Sequence, residues 1–372
     1  MRTRLCDMFG IEFPIFAFSH CRDVVAAVSR AGGFGVLGAL AFTSEQLEME
    51  LKWIDEHVGG KPYGVDVVMP AKYEGSTGES DIGEDALEKM IPEGHRQFVE
   101  QVLNKYEVPK LPEGDKPHGL LAWSKSGGRS QVDIALNHPI KLLVNALGPP
   151  PKDVVDKAHA HGVKVAALVG TPSQALKQVE AGVDIIVAQG TEAGGHTGEI
   201  GTMVLVPDVV DAVGSTPVLA AGGIGSGRQI AAAFALGAEG VWTGSIWLGV
   251  KESDSSPELI EKMMNARSTD TVRSKAISGK PARQLKTAWT DAWDGKGSPG
   301  ALPMPLQWML TADAQSRIYR YARTGRAREL LGTPIGQVVG RMNKVKSSRD
   351  VIFDMFEEFA ETVQKVQKLI EE

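Results

Sequence analysis

Short apolar runs alternate with helically spaced segments along most of the chain. FPIFAFS (13–19), FGVLGA (34–39), YGVDVVM (63–69), KLLVNALG (141–148), KVAALVG (164–170), DIIVAQG (184–190), PVLAAGG (217–223) and GVWTGSIWL (240–248) each read as a strand. Apolar residues occupy both parities in these runs, as strands buried on both faces require. Between them, 23–33, 44–60, 152–161, 172–181, 203–213 and 226–236 carry helical spacing. Ser44 is the expected N-cap of its helix; Pro172 suits a first turn and Gly182 a helix stop. Eight strands joined mostly by helices predict an α/β fold, the closed (β/α)8 barrel. An open doubly wound sheet is the alternative, but no G-x-G-x-x-G follows the first strand.

Two regions break the alternation. Residues 71–140 form an insertion after strand three, with polar KYEGSTGESDIGED, proline-rich EVPKLPEGDKPHG and a helical stretch at 94–106 between them. It leaves the C-terminal end of its strand, where barrel enzymes build their sites, so a lid is expected. An ornamental surface insertion is the alternative. Residues 250–372 form a C-terminal helical extension. Its end places Ile352, Phe356, Phe359, Val363, Val366 and Ile370 four and three residues apart. That stripe predicts an amphipathic helix packed on the barrel, or a homodimer seam. The whole chain, 1–372, is read as one domain.

Composition narrows the class. The 372 residues carry a formal net charge of -6, with no basic face, which gives no case for nucleic acid. Two cysteines, Cys6 and Cys21, are too few for a disulfide framework and suit a reduced cytoplasmic compartment. The N-terminus has no apolar h-region, and no apolar run approaches the roughly 20 residues of a membrane helix.

Barrel geometry gathers the residues that end each strand on one rim. There lie Ser19, His20 and Cys21 after strand one, Asp66 in strand three and Gln189 at the end of strand six. Gly222-Gly223-Ile224 follows strand seven and Thr243-Gly244-Ser245 strand eight. The last two open the backbone on adjacent strands, with Ser226 a candidate cap for the next helix. Together they predict a phosphate cradle. The stretch 188-AQGTEAGGHTGEIGT-202 sets five glycines around His196. Gly194 and Gly195 would let this loop pass close to a phosphate-anchored cofactor ring, where a Cβ would collide. Gln189 would bond a polar ring edge, and His196 would serve as acid, base or oxyanion donor. His159 and His161 suit a helix end; His57, His95, His118 and His138 read as surface. Cys21 is expected to be a small core residue, and no spacing predicts a metal site.

AQGTEAGGHTG, followed by PVLAAGGIGSGRQIAAAFALGAEGVWTGSIWL, closely resembles the nitronate monooxygenase family, once called 2-nitropropane dioxygenases. ARSTDTVRSKAISGKPARQLK and GQVVGRM extend the likeness. The resemblance implies an FMN-dependent TIM-barrel oxidoreductase that oxidises alkyl nitronates with O2 to a carbonyl compound and nitrite. It implies that Gln189 and Gly194 contact FMN, that Gly223 and Trp242–Ser245 hold its phosphate, and that His196 is catalytic. Two motifs depart from the family. GVD puts Asp66 where an Asn often binds the flavin, so Asp66 is expected at the flavin's N–H edge. AFSHC replaces the APM-like turn of strand one. The same glycine-histidine loop occurs in FMN-dependent enoyl-thioester and quinone reductases, which use NAD(P)H. A reductase, and a catalytically silent flavin-binding barrel, are the competing expectations.

Overall fold

A computed structural model of the chain describes residues 1–69, 76–77, 80–81, 83–115 and 125–371. Eight parallel strands close into a barrel in sequential order: β1 Ile15–Ser19, β2 Phe34–Gly38, β3 Tyr63–Val67, β4 Leu142–Asn145, β5 Lys164–Val169, β6 Ile185–Gln189, β7 Val218–Ala221 and β8 Gly240–Thr243. The open-sheet alternative is therefore excluded. Side-chain alternation splits the core into two layers. Tyr63, Val65 and Val67 join the core between strands and helices. Phe16, Phe34, Val144, Val187, Leu219 and Trp242 fill the barrel interior. The helix Arg4–Phe9 closes one end of that interior, with the Phe9 ring 4.8 Å from Phe34 and 5.7 Å from Phe16.

The helix after β2, Ser44–His57, is capped one residue earlier than expected. Thr43 Oγ1 accepts from the Gln46 N–H, and the Gln46 side chain accepts from the Thr43 N–H. Thr43 has the four-residue spacing that a capping box needs; Ser44 does not. His138 is not a surface histidine. It is wedged between Asp55 (2.6 Å) and Glu48 (3.2 Å), with its side chain 8 % exposed. His118 lies outside the described residues.

The insertion and the extension are redistributed. Lys125–Ala135, inside the expected insertion, is the barrel's own helix after β3, packed on Ser44–His57 and β3. The final helix, Ser348–Glu371, packs between Arg22–Arg30 and Gly227–Ala235. It is thus the barrel helix of β8, reached after an excursion of about a hundred residues. Its stripe is buried only in part. Ile352 is fully buried and Phe356 and Phe359 pack on the core, but Val363, Val366 and Ile370 are exposed.

The two excursions fold onto each other. Glu84–Lys89 and Glu93–Lys105 pack against Leu306–Tyr321, sharing a core that includes Leu87, Leu103, Trp293, Leu310 and Ile318. Arg317, with its side chain 3 % exposed, ties them together. It donates to the carbonyls of Val108 and Pro109 and pairs with Glu100 and Asp313. The extension is not purely helical. It holds a β-hairpin, Thr271–Ser274 and Ala282–Leu285, whose second strand pairs with Gly195–His196. Among the described residues no helix is long and apolar enough to cross a membrane.

Candidate active site

Strand register sets the upper layer of the barrel interior. Gly38 lies opposite Asp66, Asp66 opposite Val144, and Gln189 opposite Ala221. Asp66 and Gln189 share the parity of the inward residues in their strands. Neither side chain bonds to another described residue. Asp66 is 4 % exposed, and burial pushes its carboxyl well above the usual carboxylate range. Trp242, inward on β8, stacks against Phe18 of β1 with ring centres 6.1 Å apart. His20 lies on the same side, with its Nδ1 2.8 Å from the Gly38 carbonyl. Cys21 is buried, with its Sγ 3.3 Å from the Glu252 carbonyl, as a core residue would be.

The two glycine turns differ in what they leave open. Gly222 and Gly223 both have left-handed φ, +106° and +72°. A Cβ on Gly222 would strike Thr202, whereas one on Gly223 meets nothing closer than 3.4 Å. A Cβ on Gly244 meets nothing closer than 3.9 Å, so backbone approach is free there too. The side chains beside Gly244 are already engaged. Thr243 Oγ1 donates to the Phe16 carbonyl and accepts from Trp247 Nε1, and Ser245 Oγ accepts from the Gly336 N–H. What is left there for a phosphate is the backbone of Thr243–Ser245 and the Ser245 hydroxyl proton, since a hydroxyl that accepts can still donate. Ser226 does not cap its helix as expected; its hydroxyl donates to Gln229 Oε1. The Gly227 N–H at that helix start is held by Glu358.

The strand-six loop is clamped by the extension. The Glu192 carboxylate accepts from the N–H and hydroxyl of Thr202, capping the helix Thr202–Val213. Arg283 Nε donates to the Thr191 carbonyl and Arg273 Nη2 to that of Thr197. Gly195 has φ +78° with open space where a Cβ would stand, as a loop passing a ligand would need. At Gly194 a Cβ would lie 2.8 Å from Ile335 and Gly336, so the chain's own backbone already requires glycine there.

His196 ends this loop half-buried, with Nε2 2.7 Å from Ser278 Oγ. Burial, and then the charge of Lys280, lower its pKa to about 4, so the imidazole is neutral near pH 7. Ser278 is 4 % exposed, and its hydroxyl also reaches the Lys280 carbonyl at 3.3 Å. If it donates there it must accept from Nε2–H, which leaves Nδ1 with a free lone pair. Ser278, Lys280, Arg283 and Gly336 were given no role by sequence reasoning. They lie within the family-like stretches 266–286 and 336–342, the one sequence signal that pointed to them. Among the described residues no group of three or more His, Cys, Asp or Glu could hold a metal ion.

The left-handed Gly223, the open Gly244 and the unspent inward groups of Asp66 and Gln189 fit a flavin phosphate at one end and its polar ring edge at the other. Comparisons agree with that fit. Residues 2–358 match the nitronate monooxygenase family. The Mycobacterium tuberculosis protein Rv1533 is 55% identical over 375 residues, covering 100% of each chain. A Staphylococcus aureus (strain Newman) protein named "Probable nitronate monooxygenase" is 33% identical over 304 residues, 78% of this chain and 80% of the other. The nitroalkane oxidase of Streptomyces ansochromogenes superposes with TM-score 0.79 at 26% identity, over 97% of this chain and 99% of that one. FabK of Thermotoga maritima gives 0.75 at 28% identity, over 99% of both.

Proposed function

This chain belongs to the nitronate monooxygenase family, and from that premise we propose that it is an FMN-dependent enzyme oxidising alkyl nitronates with O2 to a carbonyl compound and nitrite. That it is a flavin-type oxidoreductase follows from the family and its solved neighbours. The substrate and the choice of FMN rest on the site. The observation that carries the reading is the neutral His196 held by Ser278, taken together with an inward-facing Asp66 and Gln189 whose side chains bond to no other described residue.

When bound, the flavin accepts electrons from the substrate and passes them to oxygen. The chain's residues hold and orient. Gly222, Gly223 and the backbone of Thr243–Ser245 would receive the phosphate, with Gly195 passing close to the ring. Trp242 and Phe18 form the floor. Gln189 and Asp66 would bond the ring's polar edge. A protonated Asp66 presents one O–H donor and one carbonyl acceptor, the same pair as the Asn that relatives often carry. Ionised, it would be an unpaired buried charge.

A nitronate already carries negative charge and needs no strong base. With its Nε2–H given to Ser278, neutral His196 presents only a lone pair at Nδ1, so it would position the nitronate without donating to it, and Lys280 is the cation close enough to attract the anion. A base whose conjugate acid has a pKa of about 4 is a weak acceptor, so neutral nitroalkanes should be poor substrates. Oxygen uptake matched by nitrite release from propyl-2-nitronate tests the reading. A flavin-loaded preparation that releases no nitrite rejects it.

A second reading, an NAD(P)H-dependent flavin reductase, draws on the FabK likeness over the full chain. The family model and the named relatives favour the monooxygenase. The insertion as a lid, a cytoplasmic location and a homodimer through Val363, Val366 and Ile370 stay part of the proposal.

A further inference from the structure

A cavity of about 390 Å³ opens beside the hairpin Thr271–Ser274 and Ala282–Leu285, and no barrel strand lines it. Arg273, Lys275, Trp293, Glu199 and Asp294 are among its lining residues. Its donors outnumber their acceptors. Trp293 is 4 % exposed, and its indole Nε1 has no acceptor among the described residues; neither has the buried Nε of Arg273. Lys275 is exposed, without an ion pair among the described residues. The two carboxylates do not satisfy this set. Asp294 accepts from Ser274 Oγ at 2.9 Å. Glu199 reaches Arg273 only at 3.8 Å, with its side chain 89% exposed.

Buried donors without partners are rare in folded proteins, because each forfeits its hydration. Two at one cavity, with a free ammonium at its edge, describe a place that lacks an acceptor-rich, negatively charged group. Guanidinium and ammonium together suit an oxyanion. The position is also informative. Arg273 Nη2 donates to the carbonyl of Thr197, the residue after His196, so the cavity adjoins the loop that carries the catalytic imidazole.

We propose that this cavity binds an oxyanion group, a phosphate or a carboxylate, at one end of a molecule whose other end extends toward His196. The group lies against Arg273, Lys275 and Trp293 and displaces Glu199 from its loose contact. Such a site would select larger, anion-tailed substrates or electron donors over small nitronates, and it stands whichever reaction the barrel performs.

Calorimetric titration of the flavin-loaded protein with inorganic pyrophosphate and, separately, with citrate tests the site without turnover. The flavin's own phosphate fills the barrel cradle, so the probes report on the cavity. Saturable binding in the millimolar range or tighter is expected for at least one probe. Preference for pyrophosphate identifies a phosphate-bearing ligand; preference for citrate identifies a carboxylate. Arg273→Gln and Lys275→Gln should each weaken binding by about tenfold, the ratio that 1.4 kcal/mol represents. Glu199→Gln should tighten it. Lys275 and Glu199 are exposed, so those variants keep the test independent of folding. No saturable binding of either probe, or binding unchanged by Lys275→Gln, overturns the proposal.

Discussion

Gly194 and Gly336 meet backbone to backbone. A Cβ on Gly194 would stand 2.8 Å from the Gly336 nitrogen, and a Cβ on Gly336 would stand 3.0 Å from the Gly194 nitrogen. Each glycine is therefore required by the other, and the excursion after β8 is what holds the loop of His196 in place. Gly194→Ala or Gly336→Ala should cost about 1–3 kcal/mol, the range for forced overpacking. Activity should fall further than stability, because the strand-six loop shifts while the barrel persists. Thermal unfolding and steady-state rates of both variants check this. Unchanged activity in both would show that the loop does not depend on the contact.

Asp66 should make the cofactor-free protein less stable as pH rises. Its folded carboxyl holds a proton well above pH 3.8, whereas the unfolded chain releases it near that value. Between the two pKa values stability falls by about 1.4 kcal/mol per pH unit, and below both the effect vanishes. Asp66→Asn keeps the donor and acceptor without the titration. It should equal wild type near pH 4, exceed it increasingly as the pH rises above that, and retain the flavin. Asp66→Ala should weaken flavin binding by about 1–3 kcal/mol. Parallel pH–stability curves for wild type and Asp66→Asn would contradict this account.

His196 should show no titration near pH 6.5. With its pKa lowered to about 4, it gains a proton only in acid, so kcat/KM for a nitronate should be flat through neutrality on its account. Ser278→Ala removes the 2.7 Å partner and should lower kcat by about tenfold to a hundredfold, with a smaller change in KM. A bell-shaped profile centred on an ordinary histidine pKa would show that the imidazole is less buried in the working enzyme.

Arg317 should be a stability residue with no part in the chemistry. Arg317→Met leaves the carbonyls of Val108 and Pro109 without donors and should cost about 1–3 kcal/mol for each buried group left unpaired. Hydrogen exchange should rise first in Glu93–Lys105, with β1–β8 protected as before.

The barrel strands were legible because buried parallel strands are short, contiguous apolar runs, and the rim residues follow from strand ends. The hairpin was not. TVRS and ARQL show no apolar alternation, and they are strands because Ala282–Arg283 pairs with Gly195–His196, eighty-odd residues earlier. His138 looked like surface because its neighbours in sequence are polar, yet its partners Asp55 and Glu48 come from a distant helix. The last helix was legible as a stripe. That its stripe is buried only through Phe359 depends on where the helices Arg22–Arg30 and Gly227–Ala235 end. Gly194 was expected to pass close to a cofactor ring; the backbone that it meets lies 142 positions away, and no local pattern announces that contact.

The central claim is that a nitronate, and not a nicotinamide, delivers electrons to this site. Rapid anaerobic mixing of the flavin-loaded protein with propyl-2-nitronate, NADH and NADPH tests it most directly, by following the flavin absorbance. The account predicts bleaching by the nitronate within the turnover time, recovery on admitting oxygen, and slow or no bleaching by either nicotinamide. Fast bleaching by NADH or NADPH with none by the nitronate would contradict it and make the protein a reductase.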